Sequence, residues 1–369
     1  MTVVTVSQTG AAVALRCAGS RRLLPHTQAL LTTRRIELWT TIAHWSLRLS
    51  SMREGSPDGV IPGWPPLRAA RQTGACTGRE DAMANRQNPT LRQRRLGAEL
   101  RRMREQAGFA GSHLARLLGV TPALVTQMEN GKSAVSVERL HEIAEACMCA
   151  NAPLVDALAG MARERDRAWW DEYRNTLTAA PIDVAEMEGH AKRLKSFNIG
   201  FIPGLLQTVP YAAAVFARGF TPLPGREVDR RVGFRLRRQQ TIRSGETPYV
   251  ALVHEAALRI QYGGPAVLKE QLGSLVEDSQ LPGVSLRVVP FDTADFPGPS
   301  ENLIYAEGPV PELDTVQADS SHGSHIFDSP AQLAGYRAIF ERIEAVALPE
   351  SESRDYIRSI MKELNDRYE

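Results

Sequence analysis

The sequence predicts an α+β protein, in which a bundle of five short helices precedes a larger region that mixes helices and strands. Three observations carry this prediction. Apolar residues recur at helical spacing, between capping and turn residues, over 91–160. Strand-length apolar runs then alternate with helical patterns over 165–369. Residues 1–82 sustain neither period, and Gly, Pro, Ser and Arg accumulate after Ser50, so a disordered extension is predicted there.

Charge is unevenly distributed along the 369 residues, although the net charge is only +2. Residues 1–82 carry ten basic and five acidic residues, 83–160 carry ten and seven, and the remainder carries 24 and 30. The basic front half is therefore the part expected to meet a polyanion. The sequence lacks an apolar run of roughly 20 residues and the features of a signal peptide, so we expect a cytoplasmic protein that does not enter a membrane.

The first predicted helix runs from Leu91 to near Gly108. Leu96, Leu100 and Met103 recur at i, i+4 and i+7, so they line one face of it. Its other face carries Arg92, Arg94, Arg95, Arg101, Arg102 and Arg104.

Capping and turn residues delimit the second and third helices. Ser112 is predicted to cap the second helix, and Gly119 permits the left-handed backbone of a tight turn after it. Thr121 offers an N-cap oxygen for the third helix, and Pro122 stands at its first position, where a missing N–H costs nothing. Gly131 is expected to end that helix.

A fourth and a fifth helix complete the predicted bundle. Ser136 can cap the fourth, in which Leu140, Ile143 and Ala144 form an apolar stripe. Pro153 opens the fifth. The order and lengths resemble those of the five-helix repressor domain.

The segment Leu114–Lys132, LARLLGVTPALVTQMENGK, resembles the helix-turn-helix core of the Cro and phage-repressor class, also called the XRE class. Ala115, Gly119, Val125 and Glu129–Gly131 match the pattern of that class. The resemblance implies a transcriptional regulator that binds double-stranded DNA. A homodimer is expected, because two reading helices then meet half-sites about one helical turn apart.

The same resemblance places the second helix of the motif in the major groove and the first across the phosphate backbone. The residues implied in DNA binding are Thr121, Pro122, Ala123, Thr126 and Gln127 on the reading helix, and Ser112, His113, Asn130 and Lys132 beside the phosphates. Gln127 can make a bidentate contact to adenine, worth about 1–3 kcal/mol of discrimination. Since Pro122 and Ala123 offer only apolar contact, we expect DNA shape and phosphate contacts to supply part of the specificity.

Two basic segments admit two interpretations each. The first-helix arginines either contact phosphates or form a solvated face. Residues 1–82 either form a basic arm that touches phosphates or precede the natural start, because Met83 begins a typical regulator sequence, MANRQNPTLRQRRLG.

Pieces of 165–369 resemble the uncharacterised C-terminal domain of actinobacterial regulators of the WhiJ type. The matching pieces are Trp169–Tyr173, Phe201–Thr208 (FIPGLLQT) with Tyr211, Glu255–Arg259 and Val284–Phe291. The resemblance implies an antitoxin-like regulator with a small partner protein encoded nearby. It makes Pro203, Gly204, Gln207, Thr208 and Tyr211 candidates for binding a partner or ligand.

The pattern in this second region predicts a small sheet packed by helices. Helices are predicted at 165–177, 183–196, 208–218, 225–242, 330–346 and 351–366, and strands at 249–253, 285–289, 302–306 and 315–318. Trp169, Trp170 and Tyr173 are expected to anchor the first of these helices. The helix at 225–242 is crowded with arginines, which favour a solvated, salt-bridged face over a phosphate-binding or partner surface.

The segment Asp319–His325, DSSHGSH, contains the residue types of a Ser/His/Asp site and two histidines at HxxH spacing. Triad residues normally come from separate parts of a chain, and a polar loop after a strand explains the same letters. We therefore expect no enzyme, no metal and no cofactor. An enzymatic second region is the alternative, and a pocket that joins His322 or His325 to a carboxylate would favour it.

Overall fold

The computed structural model describes residues 88–164, 167–218, 223–294, 296–320 and 323–368. The predicted extension at 1–82, with its two interpretations, and His322 therefore lie outside the described residues. A helical region at 91–163 is followed by a mixed α/β region built on a six-stranded sheet. The predicted fold class is confirmed.

Five helices form the helical region: α1 Leu91–Gln106, α2 Gly111–Leu117, α3 Pro122–Glu129, α4 Val137–Ala146 and α5 Ala152–Arg163. Thr121 caps α3 by accepting from the Leu124 N–H at 3.3 Å, and Ser136 caps α4 by accepting from the Arg139 N–H at 3.2 Å, both as predicted. The predicted cap at Ser112 is wrong. The N-cap residue of α2 is Ala110, two residues earlier, so Ser112 lies inside the first turn.

The five helices enclose one apolar core, in which Leu100, Leu114 and Leu140 are fully buried. Two glycines let the end of α3 approach α1 closely. A Cβ atom on Gly97 would lie 2.5 Å from the Glu129 carbonyl oxygen, and one on Gly131 would lie 2.6 Å from the Gln93 carbonyl oxygen. Gly131 also has a φ of +70°, which side chains rarely adopt. Both positions therefore require glycine.

The sheet of the second region comprises β1 Arg193–Asn198, β2 Tyr249–His254, β3 Val284–Val289, β4 Leu303–Glu307, β5 Thr315–Ser320 and β6 Gly323–Phe327. The strand order is β3-β2-β1-β4-β5-β6. β1, β2 and β3 run parallel, whereas β1–β4, β4–β5 and β5–β6 are antiparallel pairs. The strands predicted at 249–253, 285–289, 302–306 and 315–318 thus correspond to β2, β3, β4 and β5.

The helices around the sheet are α6 Ala179–Gly189, α7 Val209–Ala217, α8 Gly225–Arg238, α9 Gln240–Arg243, α10 Glu255–Arg259, α11 Pro265–Asp278, α12 Pro330–Val346 and α13 Glu350–Tyr368, with 3-10 turns at Trp169–Tyr173, Gly204–Leu206 and Pro311–Leu313. Helix α12 covers one sheet face, where Phe340 packs with Phe197. Helices α11 and α13 cover the other, where Leu272 and Ile360 pack with Leu194. The two apolar faces of the sheet are thus separately buried.

Two predicted helices are wrong or shortened. The helix predicted at 183–196 divides into α6 and the strand β1, because β1 pairs on both sides with β2 and β4 and so takes its conformation from distant residues. The helix predicted at 165–177 reduces to a 3-10 turn. There the Asp171 carboxylate accepts from the Ala168 N–H at 2.9 Å and pairs with Arg174, while Trp169 packs on Phe234 of α8.

Two sides of helix α6 contact different parts of the protein. Toward the helical region, its Asp183 pairs with Arg94 at 2.6 Å, and its Glu186 accepts from the Arg92 N–H at 3.4 Å. Away from α1, its Val184 and Glu188 line a cavity of the α/β region. One helix therefore contacts both the helical region and the interior of the second region.

Candidate nucleic-acid interface

Helix α3 presents an exposed row of side chains, since Thr121, Pro122, Ala123, Thr126 and Gln127 are all exposed. The two hydroxyls already have local roles, because Thr121 caps the helix and Thr126 donates to the Pro122 carbonyl at 3.1 Å. The Gln127 amide has no hydrogen-bond partner among the described residues. It is thus the polar group of α3 best placed for a new bond.

The residues that flank α3 differ in exposure and in their contacts with other side chains. Ser112 and Lys132 are exposed. His113 is half-buried and stacks on Phe109, with ring centroids 4.5 Å apart and planes 10° apart. Asn130 is exposed, and its side-chain oxygen accepts from Arg101 at 3.0 Å. The sequence-predicted DNA contacts thus surround one exposed surface, with His113 held in a fixed ring orientation.

Arg116 is a candidate that the sequence reasoning missed. It is exposed on α2 and forms no ion pair within the part of the chain that the structure describes. The available signal was its spacing, because a residue four positions after Ser112 lies on the same helix face. Arg116 and Lys132 supply positive charge on either side of α3.

The first-helix arginines are each paired with a carboxylate, although the side chains of Arg94 and Arg101 stay 39% and 45% exposed. The ion pairs are Arg92–Glu164 at 2.7 Å, Arg94–Asp183 at 2.6 Å, Arg95–Glu99 at 3.1 Å, Arg101–Glu129 at 3.3 Å, Arg102–Asp328 at 2.6 Å and Arg104–Glu129 at 2.5 Å. A uniformly solvated face is excluded because Arg95 is buried, while the phosphate contacts of the exposed arginines stay a prediction. Two of the partners, Asp183 and Asp328, belong to the α/β region.

A charge cluster with a buried Arg95–Glu99 pair joins the two regions, and we call it the interdomain clamp: Arg95, Glu99, Arg102 and Asp328. Arg95 is 5% exposed and donates to the carbonyls of Asp328 at 2.9 Å and Asp314 at 3.3 Å, and also to that of Glu312. Glu99, 3% exposed, pairs with both arginines. Burial lowers the pKa of Arg95 and raises that of Glu99, while their mutual attraction opposes both shifts.

The candidate partner-binding or ligand-binding residues of the FIPGLLQT segment lie largely inside the α/β region. Pro203 and Gly204 line the cavity beside α6. Gln207 is buried and accepts from Arg235 at 2.5 Å, and Tyr211 is buried and accepts from the Ile202 N–H at 3.3 Å. The remaining candidate, Thr208, is half-buried and its N–H donates to Gln271 at 2.7 Å. A protein partner cannot reach Gln207 and Tyr211 directly.

Within the DSSHGSH segment, Asp319 and Ser320 end β5, and Gly323–His325 begin the edge strand β6. The predicted polar loop is wrong over 323–325, because these residues pair with β5. Ser320 and His325 are exposed, with their side chains 3.3 Å apart, whereas the Asp319 carboxylate accepts from Gln317 and Ser324. Within the described ranges, no group of three or more His, Cys, Asp or Glu residues could hold a metal ion.

Comparison with known families agrees with this division. Residues 95–158 match a family model described as a helix-turn-helix domain, and residues 182–359 match one described as a domain of unknown function (DUF5753). No curated protein and no solved structure matches the chain. Among the described helices, none is both long and apolar enough to span a membrane. The chain therefore carries a helix-turn-helix domain of the kind found in DNA-binding regulators, followed by a domain of unknown function.

Proposed function

We propose that the protein is a sequence-specific transcriptional regulator of the XRE class that acts in the cytoplasm and reads the major groove with α3. The observation that carries this proposal is the division of α3 into two faces. Val125 and Met128 are buried in the helical core, while the row from Thr121 to Gln127 is exposed. A helix held in this way can enter a groove without losing its own packing.

Recognition combines one strong polar contact with weaker ones. The Gln127 amide can donate to and accept from adenine, and Pro122 and Ala123 can pack on thymine methyl groups. Arg116 and Lys132 supply phosphate contacts, which position the helix without reading sequence. DNA shape therefore contributes to the choice of operator.

The proposed active species is a homodimer. A single α3 reads one half-site, and two copies related by a twofold axis read an inverted repeat with centres roughly 34–36 Å apart. The test is selection of bound sequences from random DNA with the full-length protein. Enrichment of an inverted repeat with this spacing supports the proposal, and selection that enriches no sequence contradicts it.

The α/β region is proposed to sense a small partner protein or a ligand, in an antitoxin-like arrangement. The WhiJ-type resemblance of the FIPGLLQT segment supports this role, and so does the direct contact of α6 with α1. Co-expression with the small protein encoded beside the gene tests the partner. A complex that changes operator affinity supports the role, and the absence of a complex contradicts the antitoxin-like part.

A catalytic second region is the alternative, favoured by the contact between Ser320 and His325. We propose that it is not an enzyme, because both side chains are exposed on an edge of the sheet, where water competes for every contact. Hydrolysis of p-nitrophenyl acetate that disappears in Ser320→Ala would refute this view.

A further inference from the structure

A cavity of about 350 Å³ lies in the α/β region between one face of the sheet and helices α6 and α8. This is within the range of about 300–1,000 Å³ that is typical of ligand pockets. Its sheet wall is polar, with Ser196, Asn198, Gln317 and Asp319. A polar sheet wall beneath packed helices is costly to bury unless its groups have partners.

One cation in this cavity has no anionic partner. Arg235 of α8 lines the cavity and donates to Gln207 at 2.5 Å, but no carboxylate among the described residues lies within 4 Å of it. Its neighbour Arg238, by contrast, is paired with the buried Glu188 through bonds of 2.8 and 2.5 Å. Burial lowers the pKa of Arg235 to about 9, and the nearby charge of Arg238 adds to this effect, while the charges of Glu188 and Asp319 oppose it.

Two oxygen-bearing groups face the same space. Asn198 is 5% exposed, and its side-chain oxygen has no hydrogen-bond partner within the described chain. The Asp319 carboxylate uses one oxygen, Oδ1, to accept from Gln317 and Ser324, while no hydrogen bond to Oδ2 occurs in the described ranges. The cavity thus offers a cation with no carboxylate within 4 Å and two acceptor atoms, Asn198 Oδ1 and Asp319 Oδ2, without a hydrogen bond from the described residues.

The remaining wall is aromatic and apolar. Phe201, Phe216 and Phe234 line the cavity, and the Arg235 guanidinium lies 4.2 Å above the centroid of the Phe216 ring. Such a wall suits a flat apolar group. The guanidinium beside it is suited to a planar carboxylate, to which it can donate two parallel hydrogen bonds.

We propose that this cavity binds a small aromatic carboxylate, with its carboxylate on Arg235, its ring among the phenylalanines and a hydrogen-bond donor facing Asp319. Naming the ligand an effector rests on the proposed function, but its binding does not. Val184 and Glu188 of α6 line the same cavity, so the ligand lies against the helix that contacts α1.

Three probes that share a phenyl ring on a three-carbon chain test the assignment: 3-phenylpropionate, phenylalanine and 3-phenylpropan-1-ol. Binding to the full-length protein is measured by calorimetry and by thermal shift. At about ten times its Kd, 3-phenylpropionate is expected to raise the melting temperature by about 2–4 °C. Phenylalanine should bind more tightly, because its ammonium group reaches Asp319, and the alcohol should not bind. An alcohol that binds as well as the acid, or no shift with any probe, would overturn the proposal.

Arg235→Gln is expected to weaken the binding of 3-phenylpropionate by about 10- to 100-fold, which is the loss typical of a charge-assisted hydrogen bond. Arg230→Gln, an exposed position on the same helix, is the matched control and should bind as the wild type does. If Arg235→Gln does not fold, Ala180→Trp tests the same point. Ala180 lines the cavity and is exposed, so a tryptophan side chain at this position would obstruct access to the cavity. Unchanged binding in either variant would refute the site. Gel shifts of the ligand-free variants, expected to equal wild type, separate this failure from a failure of DNA binding.

Discussion

Replacement of Arg95 by methionine tests the interdomain clamp. Arg95 donates to three main-chain carbonyls and pairs with the buried Glu99 and with Asp328, which is 32% exposed. Removal of one partner from a buried ion pair typically costs about 3–5 kcal/mol. Arg102 continues to neutralise both carboxylates, so we expect the lower end, about 3 kcal/mol. For a protein of this size, that loss corresponds to a fall of about 4–5 °C in the melting temperature.

The matched control is Arg101→Met on the same helix. The Arg101 side chain is 45% exposed and pairs with Glu129 at 3.3 Å, so its removal should cost about 0–1 kcal/mol. Urea denaturation of the two variants, of Glu99→Leu and of Arg95→Met/Glu99→Leu completes the test. The double variant should lose less free energy of unfolding than the two single variants lose in sum, since it leaves no unpaired buried charge. Equal losses in Arg95→Met and Arg101→Met, or strict additivity in the cycle, would refute the reasoning.

Three further changes test the reading surface and its support. Gln127→Ala should weaken operator binding by about 1–3 kcal/mol and leave the affinity for random DNA unchanged. Equal losses of affinity for operator and random DNA in parallel gel shifts would exclude a base contact. Arg116→Ala should weaken binding to all sequences and reduce the slope of log affinity against log salt by about 1, so an unchanged slope would place this residue away from phosphate. Gly97→Ala should destabilise the fold by about 1–3 kcal/mol through its clash with the Glu129 carbonyl, and a thermal melt equal to wild type would contradict the close approach of α1 and α3.

Local signals explain what the sequence could predict. Thr121, Pro122 and Gly131 determine the ends of α3 through bonds and φ angles that span only a few residues, so the third helix was predictable. The prediction at β1 failed because its conformation depends on pairing with β2 and β4. The burial and pairing of Arg95 could not be predicted for the same reason, since Arg95 and Asp328 are separated by 233 residues in sequence.

The orientation of Arg235 toward the cavity also could not be predicted from the sequence of its own helix. The sequence of α8 presents a row of arginines, which predicted a solvated and salt-bridged surface. Arg230 follows that prediction, because it is exposed and paired with Glu227 at 2.8 Å. Arg235 lies five residues further on and faces the cavity, a difference that depends on where α6 and the FIPGLLQT segment pack.

The two-sided contacts of α6 have a thermodynamic consequence. Asp183 and Glu186 contact the DNA-binding region, while Val184 and Glu188 line the cavity, so a shift of this one helix changes the free energy of both. If a cavity ligand alters operator affinity by a given factor, operator DNA must alter ligand affinity by the same factor. The protein on its operator would then hold its small molecule with an affinity different from that of the free protein, and a ligand titration with and without DNA would measure the coupling between the two sites.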